Sequence, residues 1–423
     1  MESKYLKNSL CAIFCVLLLL VFAACKEDDK KTEPESETAS EETEETLSGE
    51  PGGGATEIAA GTAEPDTSAE KETKGEDETD KSEETTTESK ASNTGSGYPF
   101  DMYETPTYYS YLTGKKCTRK EQRKRPVAIM INNIRQAMPN VGISKADIVY
   151  ECMVEGGITR LMMVLSDYED VPVFGSVRSS REYFIDLSRT HDAIYIHAGG
   201  SPQAYEQFAL RPMIDRMDGV NMYFPNTFYR DAERRKTMAV EHTLMTSGAG
   251  IVKGIEQQSY RTTLQPEYKG AFGFNEEFTD VGGENNTANY MCVPYSNAFK
   301  AEFIYKEDEK LYYRKQYGVA HIDGATGEQI KFENVIVLFA DYSLLDEKGR
   351  WSCDLTGNGY GFQVTGGRYK VIKWQKDTRE GALALYNTDN TKLLLNPGKS
   401  FVCITSKAYN KSVVINADKK DVN

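Results

Sequence analysis

Arg178 and Arg181 bracket the segment Ser179-Ser-Arg-Glu182, whose pattern is that of a capping box. Ser179 would accept from the amide of Glu182, and the Glu182 carboxylate would reach back to the cap. The box is expected to open a helix over 179–189, directly after a strand over 171–177. Cations at that end of a helix oppose the positive end of its dipole, at roughly 0.3–1 kcal/mol each. Two of them imply a compensating anion, held where free backbone amides also point. That anion can be external, a bound ligand. It can equally be internal, with Glu151 or Glu155 closing a structural network.

The next unit repeats the arrangement. A strand over 193–198 runs into Gly199-Gly200, then Ser201 as an N-cap and Pro202 at the first helical position, where its missing N–H costs nothing. Gln203 follows in the first turn. If the two strands are parallel, both helix starts lie at strand carboxyl ends, where open α/β sheets bind ligands. Of the four histidines, His197 beside the glycine pair is best placed for chemistry. His191 lies roughly 20 Å away along the same strand at about 3.3 Å per residue, so the two cannot share a metal ion. Arg230, Asp231 and His242 sit in a polar loop able to enter the same crevice. The expected ligand-binding set is therefore Arg178, Arg181, His197, Gly199, Gly200, Ser201, Gln203, Arg230, Asp231 and His242. Were a reaction catalysed, His197, Asp186 and Glu155 would supply its acid and base groups.

Other chemistries lack their motifs. Gly175-Ser176-Val177-Arg178 misses the second glycine of a nucleophile elbow. Cys152 lies in an apolar run with no adjacent base, a setting that does not make a thiolate. No phosphate loop, zinc-protease helix or C-x-x-C pair occurs, so no cofactor and no metal is implied. Five cysteines remain in the body (Cys117, Cys152, Cys292, Cys353 and Cys403), and their odd number and wide spacing imply no disulfide framework.

The elements that must position these residues are legible as apolar runs. Strands are expected over 126–131, 160–166, 171–177 and 193–198, and helices over 144–153, 179–189, 201–210 and 246–258. Such alternation indicates an α/β layer arrangement. After about residue 270 the texture changes to hairpins: 303–306 with 310–315, then 360–364 with 368–374 around Thr365-Gly366-Gly367. Strands over 334–340, 383–386, 393–395 and 401–405 complete a β-rich half. The expectation is an α/β domain over 98–270 followed by a β-rich domain over 271–423, α+β overall.

Charge divides the chain differently. The 423 residues carry a formal net charge of −14. Segment 26–97 alone holds 7 basic and 23 acidic residues, leaving the stretch from 98 onward with 41 basic and 40 acidic. A near-neutral body offers no broad basic footprint for nucleic acid. Segment 26–97 lacks aromatic residues and nearly all large aliphatics, the composition of a disordered tether or spacer. Before it, Lys4 and Lys7 precede an apolar run of about fifteen residues, shorter than the roughly 20 that span a bilayer, so the run is a secretory signal. Val21-Phe-Ala-Ala-Cys25 resembles a bacterial lipobox, which would leave Cys25 as a lipid-modified (palmitate-bearing) first residue after removal of 1–25. An uncleaved anchor or an ordinary signal with an incidental cysteine is the alternative.

Several longer motifs then converge. Arg125-Pro-Val-Ala-Ile-Met-Ile-Asn-Asn133, Ala146-Asp-Ile-Val-Tyr-Glu151, Val154-Glu-Gly-Gly-Ile-Thr-Arg160 and Gly175-Ser-Val-Arg-Ser-Ser-Arg181 resemble the YerB-like family of bacterial lipoproteins. So do His197-Ala-Gly-Gly-Ser-Pro-Gln-Ala204, Asp354-Leu-Thr-Gly357 and Leu395-Asn-Pro-Gly398, and the likeness spans about 125–405. The resemblance implies a two-part extracytoplasmic body and no activity. The residues themselves point to a membrane-anchored, extracytoplasmic ligand-binding or scaffolding module of the cell envelope, with an anion-accepting crevice. The competing reading is an envelope enzyme acting on a phosphate- or carboxylate-bearing wall or lipid precursor.

Overall fold

A computed structural model of the chain describes residues 106–283 and 286–416. The signal, Cys25 and the acidic segment 26–97 fall outside the described residues. Within them, three apolar runs near the start of the body form the first strands: β1 (Val127–Asn132), β2 (Ile148–Met153) and β3 (Thr159–Leu165), buried along their whole length. A run without alternation fits a strand covered on both faces. β4 (Ile194–His197) and β5 (Arg216–Asp218) extend the sheet beyond β1 in parallel. From the second half come β6 (Asn334–Leu344), β7 (Gly357–Thr365), β8 (Arg368–Lys376), β9 (Ala384–Asn387) and β10 (Ser400–Ser406).

All ten join one 11-stranded sheet in the order β9-β8-β7-β6-β10-β2-β3-β1-β4-β5, with Trp351–Asp354 paired to β6. β10 lies between β6 and β2 and is parallel to both. The α/β first half and the β-rich second half therefore share a single sheet, and the change of texture near residue 270 is not a break in it.

Each face of the sheet carries its own core. Val127, Ile129 and Ile131 of β1 look one way, Ala128 and Met130 the other, as the strand period of two requires. The first face is covered by a six-stranded sheet built on Tyr290–Pro294, Lys300–Lys306 and Leu311–Gln316. In Leu311–Gln316 every second residue is buried, so one face packs inward. Helix Gly248–Gln258 covers the β4–β5 end of the same face through Ile251 and Ile255. The opposite face takes helices α1 (Glu182–Thr190) and α2 (Pro202–Leu210) through Tyr183, Phe184, Leu187, Ala204 and Phe208. α2 starts as its residues dictate, with Pro202 in the first turn and the Ser201 hydroxyl accepting from the Ala204 amide at 3.1 Å.

Three sequence expectations are corrected. Segment 144–153 is a 3-10 turn (Ile143–Lys145) followed by β2, because burial on both faces overrides an apolar spacing that fits helix or strand alike. Segment 171–177 contributes only Phe174–Gly175, in a small separate sheet with Leu244–Thr246 and Phe228–Arg230. The capping box does not form. Ser180 instead pairs in extended conformation with the 199–201 segment, accepting from the Ser201 amide at 3.2 Å and donating to the Gly199 carbonyl at 2.9 Å. α1 consequently begins later, with Arg181 as an N-cap lacking any side-chain cap bond.

Two polar features are sealed inside. Glu151 of β2 and Arg314 of the covering sheet form an ion pair of 2.8 Å, both side chains without solvent exposure. Glu151 also accepts from Asn133 at 2.9 Å and Thr159 at 2.7 Å. Arg314 donates to His321 Nδ1, so the neutral His321 ring carries its proton on Nε2 and donates to Asn140 Oδ1 at 2.6 Å. Burial, reinforced by the Arg314 charge, holds that ring far below the ordinary histidine range. The second feature is His197, at the end of β4, whose ring stacks on Phe208 (5.1 Å, 15°) and on Tyr195 (5.2 Å, 29°). Burial pushes its pKa down to about 4.

Two measurements follow from this packing. Arg314→Leu leaves Glu151 as an uncompensated buried charge, and a loss of roughly 3–5 kcal/mol is expected as a lowered urea midpoint; a double Glu151→Gln, Arg314→Leu variant should recover much of it. A single variant as stable as the parent would remove the pair from any structural role. For His197 the folded chain resists protonation that the unfolded chain accepts, so its contribution is intact above about 6.5 and is lost as pH falls toward about 4. His197→Asn should flatten the decline of unfolding free energy with falling pH across that window, relative to the parent.

Candidate functional site

β1, β4 and β5 are parallel neighbours, and the chain beyond the carboxyl ends of β4 and β5 opens onto a cleft of about 330 Å³. It is lined by Val177, Arg178 and Ser179, by Ala198, Gly199 and Gly200, by Tyr205 of α2, by Val220 and Asn221, and by Arg230, Glu241 and Leu244. This is the position at which α/β sheets present ligands. Its walls are fixed by one buried carboxylate. Asp218, the last residue of β5, accepts from the Gly199 amide at 2.7 Å, the Val220 amide at 3.0 Å and the Tyr205 hydroxyl at 2.7 Å. Burial alone would raise the Asp218 carboxyl; the nearby His197 ring and these donors hold it below the usual range. The Tyr205 hydroxyl is pushed up to about 12 by its own burial and by Asp218. Gly199 turns with φ +71°, a conformation that side chains other than glycine adopt at a cost.

The cations of the cleft are held on two consecutive carbonyls. Arg178 Nη1 donates to the Glu241 carbonyl at 3.0 Å, and Arg230 Nη1 to the Val240 carbonyl at 2.5 Å. Each guanidinium has five N–H groups in all, and the buried Nε of Arg178 has no protein partner. Burial lowers the Arg178 pKa from its ordinary value, opposed by the charges of Glu241 and Glu155.

Arg178, Gly199, Gly200 and Arg230 are thus brought together, while the other expected residues lie elsewhere. Arg181 is buried and pairs with Glu155, which also pairs with Arg160 at 2.9 Å; Arg160 in turn donates to the Ser179 carbonyl at 2.8 Å. An internal carboxylate, not an open crevice, answers Arg181, and Glu155 is correspondingly engaged. His197 presents its ring to the core and bonds through Nδ1 to the Gly199 carbonyl at 2.9 Å, so it does not face the cleft. Asp186 is buried between Arg211 at 2.7 Å and Arg379 at 3.1 Å. Ser201 is committed to capping α2, and half-buried Gln203 does not line the cleft. Asp231 accepts from the amides of Glu233 and Arg234, both at 2.9 Å, and shapes its own turn. His242 is buried against Asn132 Nδ2 at 3.0 Å, leaving its neighbour Glu241 at the rim.

Ser179, Tyr205, Asn221 and Glu241 were not legible as site residues. Ser179 reads as a cap, Tyr205 as one more aromatic on a helix, and Asn221 and Glu241 reach the cleft only because β5 and the small sheet carry their loops there.

The comparisons with known proteins cover both halves. The DUF3048 N-terminal domain, a protein family of unknown function, matches residues 112–261, and its C-terminal domain matches 291–402. The chain is 33% identical over 273 residues to the "Putative lipoprotein YerB" of Bacillus subtilis (strain 168), covering 63% of this chain and 77% of that protein. The crystal structure of YerB from Bacillus subtilis aligns with a TM-score of 0.64 at 28% identity, over 73% of this chain and 99% of the other. The two domain matches lie on either side of the shared sheet's change in texture, and the solved relative carries both. By sequence and by fold, the chain belongs to the YerB-like DUF3048 family.

Proposed function

We propose that this chain is a lipid-anchored, extracytoplasmic binding module whose cleft takes a phosphate or carboxylate carried by a component of the cell envelope. The observation that carries the reading is the pair Arg178 and Arg230, held on the Val240 and Glu241 carbonyls rather than on carboxylates, beside the Gly199-Gly200 turn. Guanidinium groups so anchored are pre-oriented forks for a bidentate anion. The contrast with Arg160 and Arg181, neutralised by Glu155 a short way along the chain, marks Arg178 and Arg230 as the cations left for a ligand. Binding rather than turnover is favoured because His197, Asp186 and Glu155 are each held by partners within the protein.

The anchor rests on Cys25 and its lipobox-like context, on the tether composition of 26–97, and on the lipoprotein name of the Bacillus relative. Among the described residues no helix is long and apolar enough to cross a membrane. A lipid on Cys25 would then supply the attachment.

Two experiments test the two parts. The melting temperature of the full chain should rise with millimolar inorganic phosphate or glycerol 3-phosphate, the unfolding free energy gaining roughly 2.7 kcal/mol at a hundredfold excess over Kd. Arg178→Ala with Arg230→Ala should erase that gain and leave the unliganded melting temperature unchanged. Arg181→Ala, by contrast, should lower the unliganded value because it strips Glu155 of a buried partner. Neither anion shifting the parent would end the cleft assignment. For the anchor, labelled palmitate should enter the parent in cells and not Cys25→Ser; equal labelling would refute it.

A further inference from the structure

At the opposite end of the sheet from the cleft, β7, β8 and β9 run past the covering sheet. The face that packs inward through Val364, Phe362 and Tyr369 comes into the open farther along these strands. There Tyr360, Lys373 and Tyr386 stand directly opposite one another on three adjacent strands. Asn358 and Gln375 form the next cross-strand pair on the same face. Adjacent strands lie about 4.8 Å apart, so the two tyrosines are roughly 10 Å apart with the lysine stem between them. With Asn390 from the following turn they line a surface trough of about 370 Å³. Tyr360 is 60% exposed, so its ring can be reached from solvent.

The trough is polar and carries a single lysine. Among the described residues that line it Lys373 alone is charged, and its ammonium is bonded to the Thr388 carbonyl at 2.7 Å and to Asn390 Oδ1 at 2.9 Å. Gln375 Nε2 is taken by Asp377 at 2.6 Å, which leaves its carbonyl oxygen as an acceptor. What remains for a ligand is a pair of aromatic faces flanking amide and hydroxyl groups. Sugar rings offer the complement: one face of C–H groups that packs on an aromatic ring, and equatorial hydroxyl or acetamido groups that hydrogen-bond with amides. A single lysine, already bonded to two oxygens of the protein, lacks the paired guanidinium forks that suit the cleft to a phosphate or carboxylate, and the open trough suits a chain lying across it rather than a single enclosed ring.

We infer that this face binds a strand of uncharged polysaccharide, with Tyr360 and Tyr386 stacking on successive parts of it and Asn358, Gln375 and Asn390 reading its hydroxyl or amide groups. The site is independent of the anion cleft. Its residues come from the second half of the chain, and the cleft residues from the first.

The test is titration calorimetry of the full chain with chitotetraose and with cellotetraose, together with the monosaccharide N-acetylglucosamine. Saturable binding of either tetrasaccharide is expected, at least about tenfold tighter than the monosaccharide. Tyr360→Ala with Tyr386→Ala should weaken it by about tenfold or more at an unchanged melting temperature. Tyr360→Phe with Tyr386→Phe, which keeps the rings, should retain most of the affinity and guards against a merely structural loss. Arg178→Ala with Arg230→Ala should leave it untouched. The inference is overturned if neither tetrasaccharide binds, if the monosaccharide binds as tightly as the tetrasaccharides, or if the double alanine variant binds like the parent.

Discussion

A carboxylate and a guanidinium without access to water sit between the two sheets of this protein, and much of the architecture is arranged to satisfy them. Glu151 projects from the centre of the large sheet; Arg314 comes from the smaller sheet that covers it. In so apolar a setting the pair is tolerable because most of the polar groups around it are answered, by Asn133 and Thr159 on one side and by His321 and Asn140 on the other, while Arg314 Nε and Asn133 Oδ1 have no hydrogen-bond partner among the described residues. Asn140 extends the chain of contacts by donating to the Asn132 carbonyl at 2.6 Å, and the Asn132 side chain meets His242 at 3.0 Å. The line of polar contacts therefore runs from the interior of the second half to the base of the loop that bears Glu241. It links the two sheets through directional contacts that apolar side chains do not make.

The cleft inherits its shape from a similar economy of carboxylates. Asp218 organises the turn after β4 and the loop after β5, and Glu155 neutralises Arg160 and Arg181. With those charges matched internally, Arg178 and Arg230 remain supported by peptide carbonyls. A carbonyl orients a guanidinium without cancelling its charge, whereas a carboxylate does both. The difference between Arg181 and Arg178, three residues apart, is thus a difference between a cation matched by a carboxylate and one held on a peptide carbonyl.

How far this could be read from residues alone depends on what each residue needed to know. The runs 126–131, 160–166, 334–340 and 401–405 announce buried strands because nothing else accommodates so many consecutive apolar side chains. Ser201-Pro202 announces a helix start because both residues act locally. The apolar run at 148–153 was ambiguous in kind, since a strand buried on both faces has no alternation to display. The box at 179–182 was locally sound and still did not form, because Ser180 gains two backbone bonds from a segment twenty residues away. Arg181 posed the clearest choice: its anion could be internal or external, and only the fold of the chain brings Glu155 within reach. Asn221 and Glu241 carried no local sign of a site at all.

The place of β10 bears on how such a molecule is made. Residues 400–406 follow every other strand of the large sheet along the chain, yet they form the strand that joins the two halves at the middle of the sheet. Until they arrive, β2 and β6 each present a bare parallel edge, and bare edges recruit one another between molecules. Closure of the large sheet therefore waits on a strand that follows all its other strands along the chain, and any truncation upstream of Ser400 leaves two half-sheets with no shared strand.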